Sequence, residues 1–280
     1  MHLYKTKQGI LVRQKENHYL LNEDWDMLVN QRYLHAHLEE SIGKATLFKE
    51  DIDVFLTHHL LAPIGKQEVW AAGVTYLRSR DARMEESKES GGADFYQLVY
   101  EADRPEIFFK ATPHRVVGHG HRVNIRRDST WNVPEPELTL FINAYGEIQG
   151  YTVGNDMSSR SIEGENPLYL PQAKVYDKSC ALGPGLYVPA APISPETTIS
   201  IVIRRGSKEM YAASIQLNRM KRTLPELADY LYRGCSFPHG CYLMTGTGLV
   251  PGSDFTLQKN DEVSITIEGI GTLVNTITEL

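Results

Sequence analysis

Apolar and polar positions follow different patterns in the two parts of the chain. In the first 61 or so residues the apolar runs are short, charged residues are frequent, and residues 24–34 carry apolar side chains at helical spacing. After that point, longer apolar segments are separated by Gly, Pro and Asn. We therefore predict a small N-terminal α+β domain over residues 1–61 and a larger domain over residues 62–280.

The larger domain is rich in short β-type segments. It opens with a compact apolar run at 69–75, which predicts a buried strand, and a polar stretch at 76–90, which predicts a solvated helix. Further strands are predicted at 106–110, 138–142, 148–153, 199–203 and 263–267. One late helix is predicted at 224–232, with Thr223 as its cap. Because strands and helices do not alternate, the predicted fold class is α+β and mostly β.

Composition and charge argue against several classes of protein. The 280 residues include 29 Lys and Arg against 35 Asp and Glu, a net charge of −6, so neither a nucleic acid nor an anionic membrane is an expected partner. The three cysteines form no C-x-x-C motif, which argues against a disulfide framework or a Cys-rich zinc site. No apolar run reaches about 18 residues, and the first residues lack the apolar core of a signal peptide. We expect a soluble cytoplasmic protein.

A β-hairpin is predicted in residues 134–156, where two strand-like segments flank a short turn. If the turn is centred between Tyr145 and Gly146, the numbers of paired residues add up to 291. Leu138 then faces Val153, on an apolar face that should pack against the core. The opposite face is polar and is expected to be open.

The same register brings three carboxylates together at the open end of the hairpin. Glu135 lies opposite Asp156, and Glu137 shares a face with Glu135 because side chains repeat every two residues along a strand. Like charges this close are unfavourable unless a cation lies between them. Oxygen ligands suit a hard ion, Mg²⁺ first, with Mn²⁺ or Ca²⁺ as possible substitutes. The alternative is an exposed acidic hairpin end that binds nothing.

Three other patterns carry weaker signals. His114, His119 and His121 lie close together but lack the spacing of a metal motif, so they are interpreted as loop histidines. The Gly-rich residues 246–252 lack a dinucleotide fingerprint and predict a tight turn whose backbone approaches another group. Lys174, from the local pattern alone, is a surface lysine.

Four motifs in series make the chain resemble the fumarylacetoacetate hydrolase superfamily over roughly residues 62–280. The motifs are Glu135-Pro-Glu137 and residues 150–160, 174–184 and 245–251. Within the superfamily the nearest likeness is to its dehydratases of 2-keto-3-deoxy sugar acids, such as 2-keto-3-deoxy-D-arabinonate. That likeness rests on residues 104–113, 117–120 and 165–172.

The resemblance implies a fold, a metal and roles for individual residues. The implied fold is a mixed β-sandwich roll with a small N-terminal domain. The implied Mg²⁺ ligands are Glu135, Glu137 and Asp156, the trio reached from the hairpin. Lys174 is implied to lie near the metal-bound substrate, Thr247 on the substrate carboxylate, and Glu106 becomes a candidate for proton transfer. A homodimer or homotetramer is the family tendency.

A charged stretch at 76–92 is a candidate lid over the site, with a plain solvated face as the alternative. It carries Tyr76, Arg78 and Arg80, which we take as candidate substrate-binding residues. Ser79 stands where hydrolase members of the superfamily carry a water-activating histidine. Without that histidine, hydrolysis and decarboxylation are disfavoured, and elimination, in which water leaves, is favoured.

The hypothesis is Mg²⁺-dependent dehydration of an anionic 2-keto-3-deoxy sugar acid through a metal-stabilised enolate. A 2-keto-3-deoxypentonate would give 2,5-dioxopentanoate. Lys174 is the C3 base if burial and Mg²⁺ lower its pKa, and Glu106 is the other candidate for base or acid. An acylpyruvate hydrolase or oxaloacetate decarboxylase using the same metal site is one alternative. A catalytically silent metal-binding protein is the other.

Overall fold

The computed structural model describes residues 1–86 and 93–280. Its strands are β1 (His2–Thr6), β2 (Gly9–Gln14), β3 (Asn17–Leu21), β4 (Glu68–Gly73), β5 (Glu106–Ala111), β6 (Val116–Val117), β7 (Arg122–Ile125), β8 (Asn132–Val133), β9 (Pro136–Ile142), β10 (Ile148–Asp156), β11 (Ser158–Ser159), β12 (Cys180–Tyr187), β13 (Thr198–Arg205), β14 (Lys208–Gln216), β15 (Cys241–Met244), β16 (Glu262–Ile267) and β17 (Gly271–Glu279). Its α-helices are α1 (Trp25–Val29), α2 (Leu34–Lys44), α3 (Ile52–His59), α4 (Leu77–Glu86), α5 (Ala93–Glu101), α6 (Arg160–Glu165), α7 (Leu170–Lys174) and α8 (Leu224–Tyr232). Strands outnumber helices among these residues, as the predicted α+β, mostly β class requires.

Two mixed sheets build the body of the protein. The larger has the order β3-β2-β1-β12-β10-β9-β15-β4-β5, with β6 added beside β12, and the smaller has the order β14-β13-β16-β17-β7. Leu138, Leu140 and Val153 of the larger sheet share one core with Ile201 and Ile265 of the smaller sheet. Burial of apolar side chains from both sheets holds the two layers together.

The N-terminal segment continues the larger sheet. In β1, Leu3 pairs with Leu186 of β12, and side chains from α1 and α2 join a second core on the other face of that sheet. The predicted helix at 24–34 is shorter than expected: α1 ends at Val29, and α2 starts at Leu34 after Tyr33, whose backbone has a left-handed φ of 54°. Asp24 caps α1, because its side chain accepts from the Met27 N–H. The boundary near residue 61 stays a prediction.

The hairpin of β9 and β10 forms in the predicted register. Leu138 pairs with Val153 and Glu137 with Gly154, and the register shifts only near the turn, between Ile148 and Gly150. The prediction of an open polar face is wrong, because every residue of β9 is buried. The helices α1 and α2 cover the second face, where Phe141 joins their core.

Two of the helices predicted from the sequence, α8 and α4, are present in the structure. Thr223 caps α8 as predicted, and Glu226 closes a reciprocal capping box with it. The solvated helix predicted at 76–90 is α4, which runs from Leu77 to Glu86. The rest of that prediction, and the end of the candidate lid, lie outside the described residues. No helix among the described residues is long and apolar enough to cross a membrane.

Candidate active site

Three carboxylates meet where β9 begins and β10 ends. Ligand oxygens of Glu135, Glu137 and Asp156 all lie within 4.8 Å of one another. The strand pairing places them there, since the Asp156 N–H donates to the Glu135 carbonyl over 3.0 Å. Their exposed fractions are only 5%, 1% and 1%. The alternative of an exposed acidic hairpin end is therefore wrong.

A glycine turn approaches the carboxylates from β15. The Gly246 N–H donates to Glu137 Oε2 over 2.6 Å. Gly246 has a φ of +92°, and a Cβ there would lie 2.1 Å from the Thr75 Oγ1. Only glycine fits both conditions, so the tight turn predicted at 246–252 serves to bring a backbone donor to Glu137.

Buried cations pair with two of the three carboxylates, Glu135 and Asp156. The Lys174 Nζ donates to Glu135 Oε2 over 2.7 Å and lies 3.4 Å from Asp156 Oδ2. Arg160 donates to Glu135 Oε1 over 2.6 Å. The Lys110 Nζ lies 2.5 Å from Asp156 Oδ1 and also donates to the Lys174 carbonyl, the last of α7. The interpretation of Lys174 as a surface residue is wrong, because it is fully buried.

A second buried group surrounds Glu163 of α6. Its carboxylate lies 2.7 Å from the Arg83 guanidinium and 3.7 Å from both Arg160 and Lys174. Sequence reasoning missed Lys110, Arg83, Arg160 and Glu163. Strand alternation offered one signal, since Lys110 shares a face of β5 with Glu106. The other signal was the helical spacing of Arg160 and Glu163.

The two glutamates of the hairpin have opposite proton affinities. Burial raises the pKa of Glu135, but Lys174 and Arg160 outweigh it and bring the pKa down to about 2. Burial raises the pKa of Glu137 well above its usual range, and the charges of Asp156 and Glu135 raise it further. The metal-free cluster therefore holds Glu135 ionised and favours a proton on Glu137.

Lys174 was expected to act as a base if the pKa of its amino group is lowered, and this condition is not met in the metal-free protein. Burial lowers the pKa of its amino group, but Asp156, Glu135 and Glu163 outweigh burial and raise that pKa above its usual value. Lys174 is therefore an ammonium ion in the metal-free protein. Its role as a base stays a prediction, and it requires that the neighbouring carboxylates be neutralised.

The candidate proton-transfer residue Glu106 begins β5 and faces Gly73 of β4. A Cβ at Gly73 would lie 1.9 Å from Glu106 Oε2, so the glycine makes room for this carboxyl. Burial raises the pKa of Glu106, against the lowering effect of Arg83. Oε2 has no hydrogen-bond partner among the described residues. Its proton-transfer role stays a prediction.

The candidate substrate-binding residues are placed unequally. Thr247 lines a small cavity beside the three carboxylates, with its hydroxyl bonded to the backbone of Leu249. Tyr76 is buried, and the charge of Glu137 adds to burial in raising its pKa. The structure does not bring Arg78 and Arg80 to the cavity.

Helix geometry explains that difference on α4. Ser79 and Arg83 lie one turn apart on the same buried face and line the cavity. Arg78 is exposed, and Arg80 pairs with Asp81 over 2.6 Å. Of these three arginines, Arg83 lines the cavity, and the substrate-binding roles of Arg78 and Arg80 stay predictions.

Ser79 has no freedom to act as a base. Its hydroxyl donates to the Tyr76 carbonyl over 2.7 Å and accepts from the Tyr76 N–H over 3.1 Å. Both contacts tie it to the first turn of α4. At the position where the resemblance implies a water-activating histidine in hydrolase members, the Ser79 hydroxyl thus stabilises the backbone.

The donor set fits a hard divalent cation. Three carboxylates supply only oxygen atoms, they converge in a buried space, and their mutual repulsion is balanced by lysine and arginine side chains. Mg²⁺ accepts such ligands and keeps positions for water or a substrate oxygen.

Comparison with known proteins gives concordant matches. A family model described as fumarylacetoacetate (FAA) hydrolase C-terminal matches residues 85–278. The chain is 51% identical over 227 residues to a Haloferax volcanii protein described as a probable 2-keto-3-deoxyxylonate dehydratase, covering 81% of this chain and 77% of that protein. It is 44% identical over 219 residues to the 2-dehydro-3-deoxy-D-arabinonate dehydratase of Saccharolobus solfataricus, covering 77% and 73%.

A solved structure agrees with the sequence matches. It is 2-keto-3-deoxy-D-arabinonate dehydratase complexed with magnesium and 2,5-dioxopentanoate. The TM-score is 0.85 at 33% identity, over 100% of this chain and 99% of that one.

Proposed function

The chain belongs to the fumarylacetoacetate hydrolase family, and from this premise we propose that it is a Mg²⁺-dependent dehydratase of a 2-keto-3-deoxy sugar acid. The two relatives compared above, from Haloferax volcanii and Saccharolobus solfataricus, are described as dehydratases of such acids. The observation in this chain that carries the proposal is the buried cluster of Glu135, Glu137 and Asp156 beside Lys174. Ser79, tied to the backbone, supports elimination over hydrolysis.

The residues at the cavity have separate roles in the proposed reaction. Mg²⁺ bound by the three carboxylates would act as a Lewis acid on the 2-keto group and acidify the C3–H bond. Lys174 or Glu106 removes the C3 proton, the electron pair of the C3–H bond forms the C3–C4 double bond, and the C4 hydroxyl takes up a proton and leaves as water. With a pentonate, a proton shift from C5 to C3 gives the C4–C5 enol, and tautomerisation of this enol, in which the hydroxyl loses its proton and C4 gains one, gives 2,5-dioxopentanoate. Thr247 is proposed to hold the substrate carboxylate.

Burial of the site serves this chemistry. The Lys174 amino group, the Glu106 Oε2 and the three carboxylates are shielded from solvent. In such surroundings electrostatic interactions are stronger than in water, and proton affinities are set by neighbouring charges. A cytoplasmic location and a homodimer or homotetramer are part of the same proposal, carried from the sequence.

A panel of 2-keto acids with product analysis tests the proposed function. We expect a 2-keto-3-deoxypentonate to be converted to a semialdehyde without carbon–carbon cleavage, with Mg²⁺ and not after dialysis against EDTA. Mn²⁺ should restore part of the activity. Release of pyruvate from an acylpyruvate, or of CO₂ from oxaloacetate, as the faster reaction would overturn the dehydratase assignment. Absence of any turnover by the wild type would favour a silent metal-binding protein.

Metal uptake is expected to release a proton from Glu137. In the metal-free protein the Glu137 carboxyl keeps its proton to a higher pH than an ordinary glutamate does. The carboxyl must lose that proton to bind a cation. The apparent Mg²⁺ affinity should therefore rise with pH until the pH exceeds the raised pKa. Calorimetric titrations at about pH 6 and about pH 8, in buffers of different ionisation enthalpy, measure the proton count. A binding enthalpy that is independent of the buffer at both pH values would contradict the expectation.

A further inference from the structure

The two glutamates of the candidate metal site each have one carboxylate oxygen held by a donor of the protein. Arg160 donates to Glu135 Oε1 over 2.6 Å. The Gly246 N–H donates to Glu137 Oε2 over 2.6 Å. A carboxylate binds a cation through one or both of its oxygens. A donor that occupies one oxygen leaves the other for the cation, so it favours binding through a single oxygen.

Lys110 holds one oxygen of Asp156 in a similar way. Its Nζ lies 2.5 Å from Asp156 Oδ1. It also donates to the Met157 carbonyl over 3.0 Å and to the Lys174 carbonyl over 2.5 Å. An ammonium group has three N–H donors, the number of oxygens around it here. Lys110 is fully buried, and these contacts fix its amino group between β5, the end of β10 and the end of α7.

The amino group of Lys174 has different partners. It lies 2.7 Å from Glu135 Oε2 and 3.4 Å from Asp156 Oδ2, and it donates to the Ser158 hydroxyl. A cation bound by the carboxylates competes with Lys174 for these two carboxylate oxygens. Lys110 keeps two backbone carbonyls as partners when a cation arrives. Its contact with Asp156 Oδ1 therefore persists more readily than the contact of Lys174 with Oδ2.

The number of oxygens that a carboxylate offers distinguishes two hard cations. Ca²⁺ takes about six to eight oxygen ligands in a flexible geometry and often binds both oxygens of one carboxylate. Mg²⁺ is smaller, requires near-octahedral geometry and usually keeps several waters. Three carboxylates that each give one oxygen leave octahedral positions for water or substrate, as Mg²⁺ prefers. A second oxygen from Asp156 would suit Ca²⁺ better.

We propose that Lys110 sets the metal preference of the site: by holding Asp156 Oδ1 it keeps Asp156 a single-oxygen ligand, which favours Mg²⁺ over Ca²⁺. The inference rests on the proposed function, because it requires a divalent cation at the three carboxylates. Lys110 acts through Asp156 and is a positioning residue. Both ions carry the same charge, so the repulsion between Lys110 and the ion largely cancels from the ratio of their two Kd values.

The test is calorimetric titration of Mg²⁺ and of Ca²⁺ into metal-free wild type and into Lys110→Met, at one pH. We expect the Kd for Ca²⁺ divided by the Kd for Mg²⁺ to fall at least about tenfold in Lys110→Met. Tenfold is the lower end of the effects seen for residues that orient metal ligands. General loosening of the site would weaken both ions alike. An unchanged ratio, whatever happens to the two affinities, overturns the inference.

A matched control and a second measurement separate metal preference from folding. Arg205→Met also removes a cation from a buried carboxylate, since Arg205 pairs with the buried Asp261 over 2.8 Å, and it should leave the ratio unchanged. If Lys110→Met does not fold, a crystal structure of the wild type with Ca²⁺ decides. Asp156 bound through one oxygen, with Lys110 still on Oδ1, supports the inference. Both Asp156 oxygens on the ion overturn it.

The same titrations distinguish failure of this inference from failure of the proposed function. A wild type that binds both ions but dehydrates no 2-keto-3-deoxy sugar acid overturns the proposed reaction alone, since the ratio of Kd values still tests Lys110. A wild type that dehydrates with Mg²⁺, and whose ratio is insensitive to Lys110→Met, overturns this inference alone. A wild type that binds neither ion overturns both.

Discussion

Glu137→Gln is expected to abolish turnover and to weaken divalent-cation binding by more than about a hundredfold, without unfolding the protein. The lower bound follows because residues that only orient metal ligands already change affinity by about 10- to 100-fold. Glutamine keeps the oxygen that accepts from Gly246 and loses the charge. Since burial, Asp156 and Glu135 disfavour ionisation of Glu137, the metal-free variant should be at least as stable as the wild type, most clearly at alkaline pH.

Three measurements check this expectation: Mg²⁺ titration, steady-state turnover and thermal unfolding after EDTA treatment. A matched control exists on the same hairpin, because Glu147 lies near the turn, pairs with Arg32 and is partly exposed. Glu147→Gln should leave both the affinity and kcat close to wild type. If Glu137→Gln binds Mg²⁺ as tightly as the wild type, the assignment of Glu137 as a metal ligand is wrong.

Lys174→Met is expected to lower kcat by about a hundredfold to ten-thousandfold, the usual range for loss of an acid–base group. The same substitution should destabilise the metal-free protein by about 3–5 kcal/mol, since it removes one cation from a buried network of ion pairs. The amino group is 2.7 Å from Glu135 and 3.7 Å from Glu163, and both lose it. Added Mg²⁺ should restore part of the lost stability, because it neutralises the same oxygens.

Turnover and Tm, each with and without Mg²⁺, separate the two roles of Lys174. Lys44→Met is the control, because Lys44 forms an exposed pair with Glu40 that contributes little to stability. If kcat of Lys174→Met stays within about tenfold of wild type, Lys174 is not the base and Glu106 becomes the remaining candidate. If Tm is unchanged by the substitution, the charge balance described for the cluster is wrong.

The hairpin and its carboxylates were accessible from sequence because their geometry is local. A two-residue period and one turn between Tyr145 and Gly146 fix the register, and the register brings Glu135 opposite Asp156. The burial of the second hairpin face was not accessible. It depends on α1 and α2, which lie far earlier in the chain and join Phe141 in one core.

The buried cations of the site are the second feature that could not be predicted from the sequence. A lysine or arginine in a polar stretch usually indicates a solvated face, and this rule misplaced Lys174 and overlooked Arg83. Both are buried because carboxylates from other elements surround them. Pairing across distant segments is set by tertiary structure, so local patterning cannot distinguish such residues from Arg78 or Arg80.

The charge balance of the buried cluster allows the protein to fold without its metal ion and to bind the ion afterwards. In the described part of the chain, four buried carboxylates face four buried cations: Glu135, Glu137, Asp156 and Glu163 against Lys110, Lys174, Arg83 and Arg160. The charges balance when all four carboxylates are ionised, and a proton on Glu137 leaves one positive charge in excess, so in neither state is a metal ion needed for folding. Many small metalloproteins unfold when a chelator removes their ion. This protein should instead persist as an apoprotein, and its activity can then follow the supply of the cation.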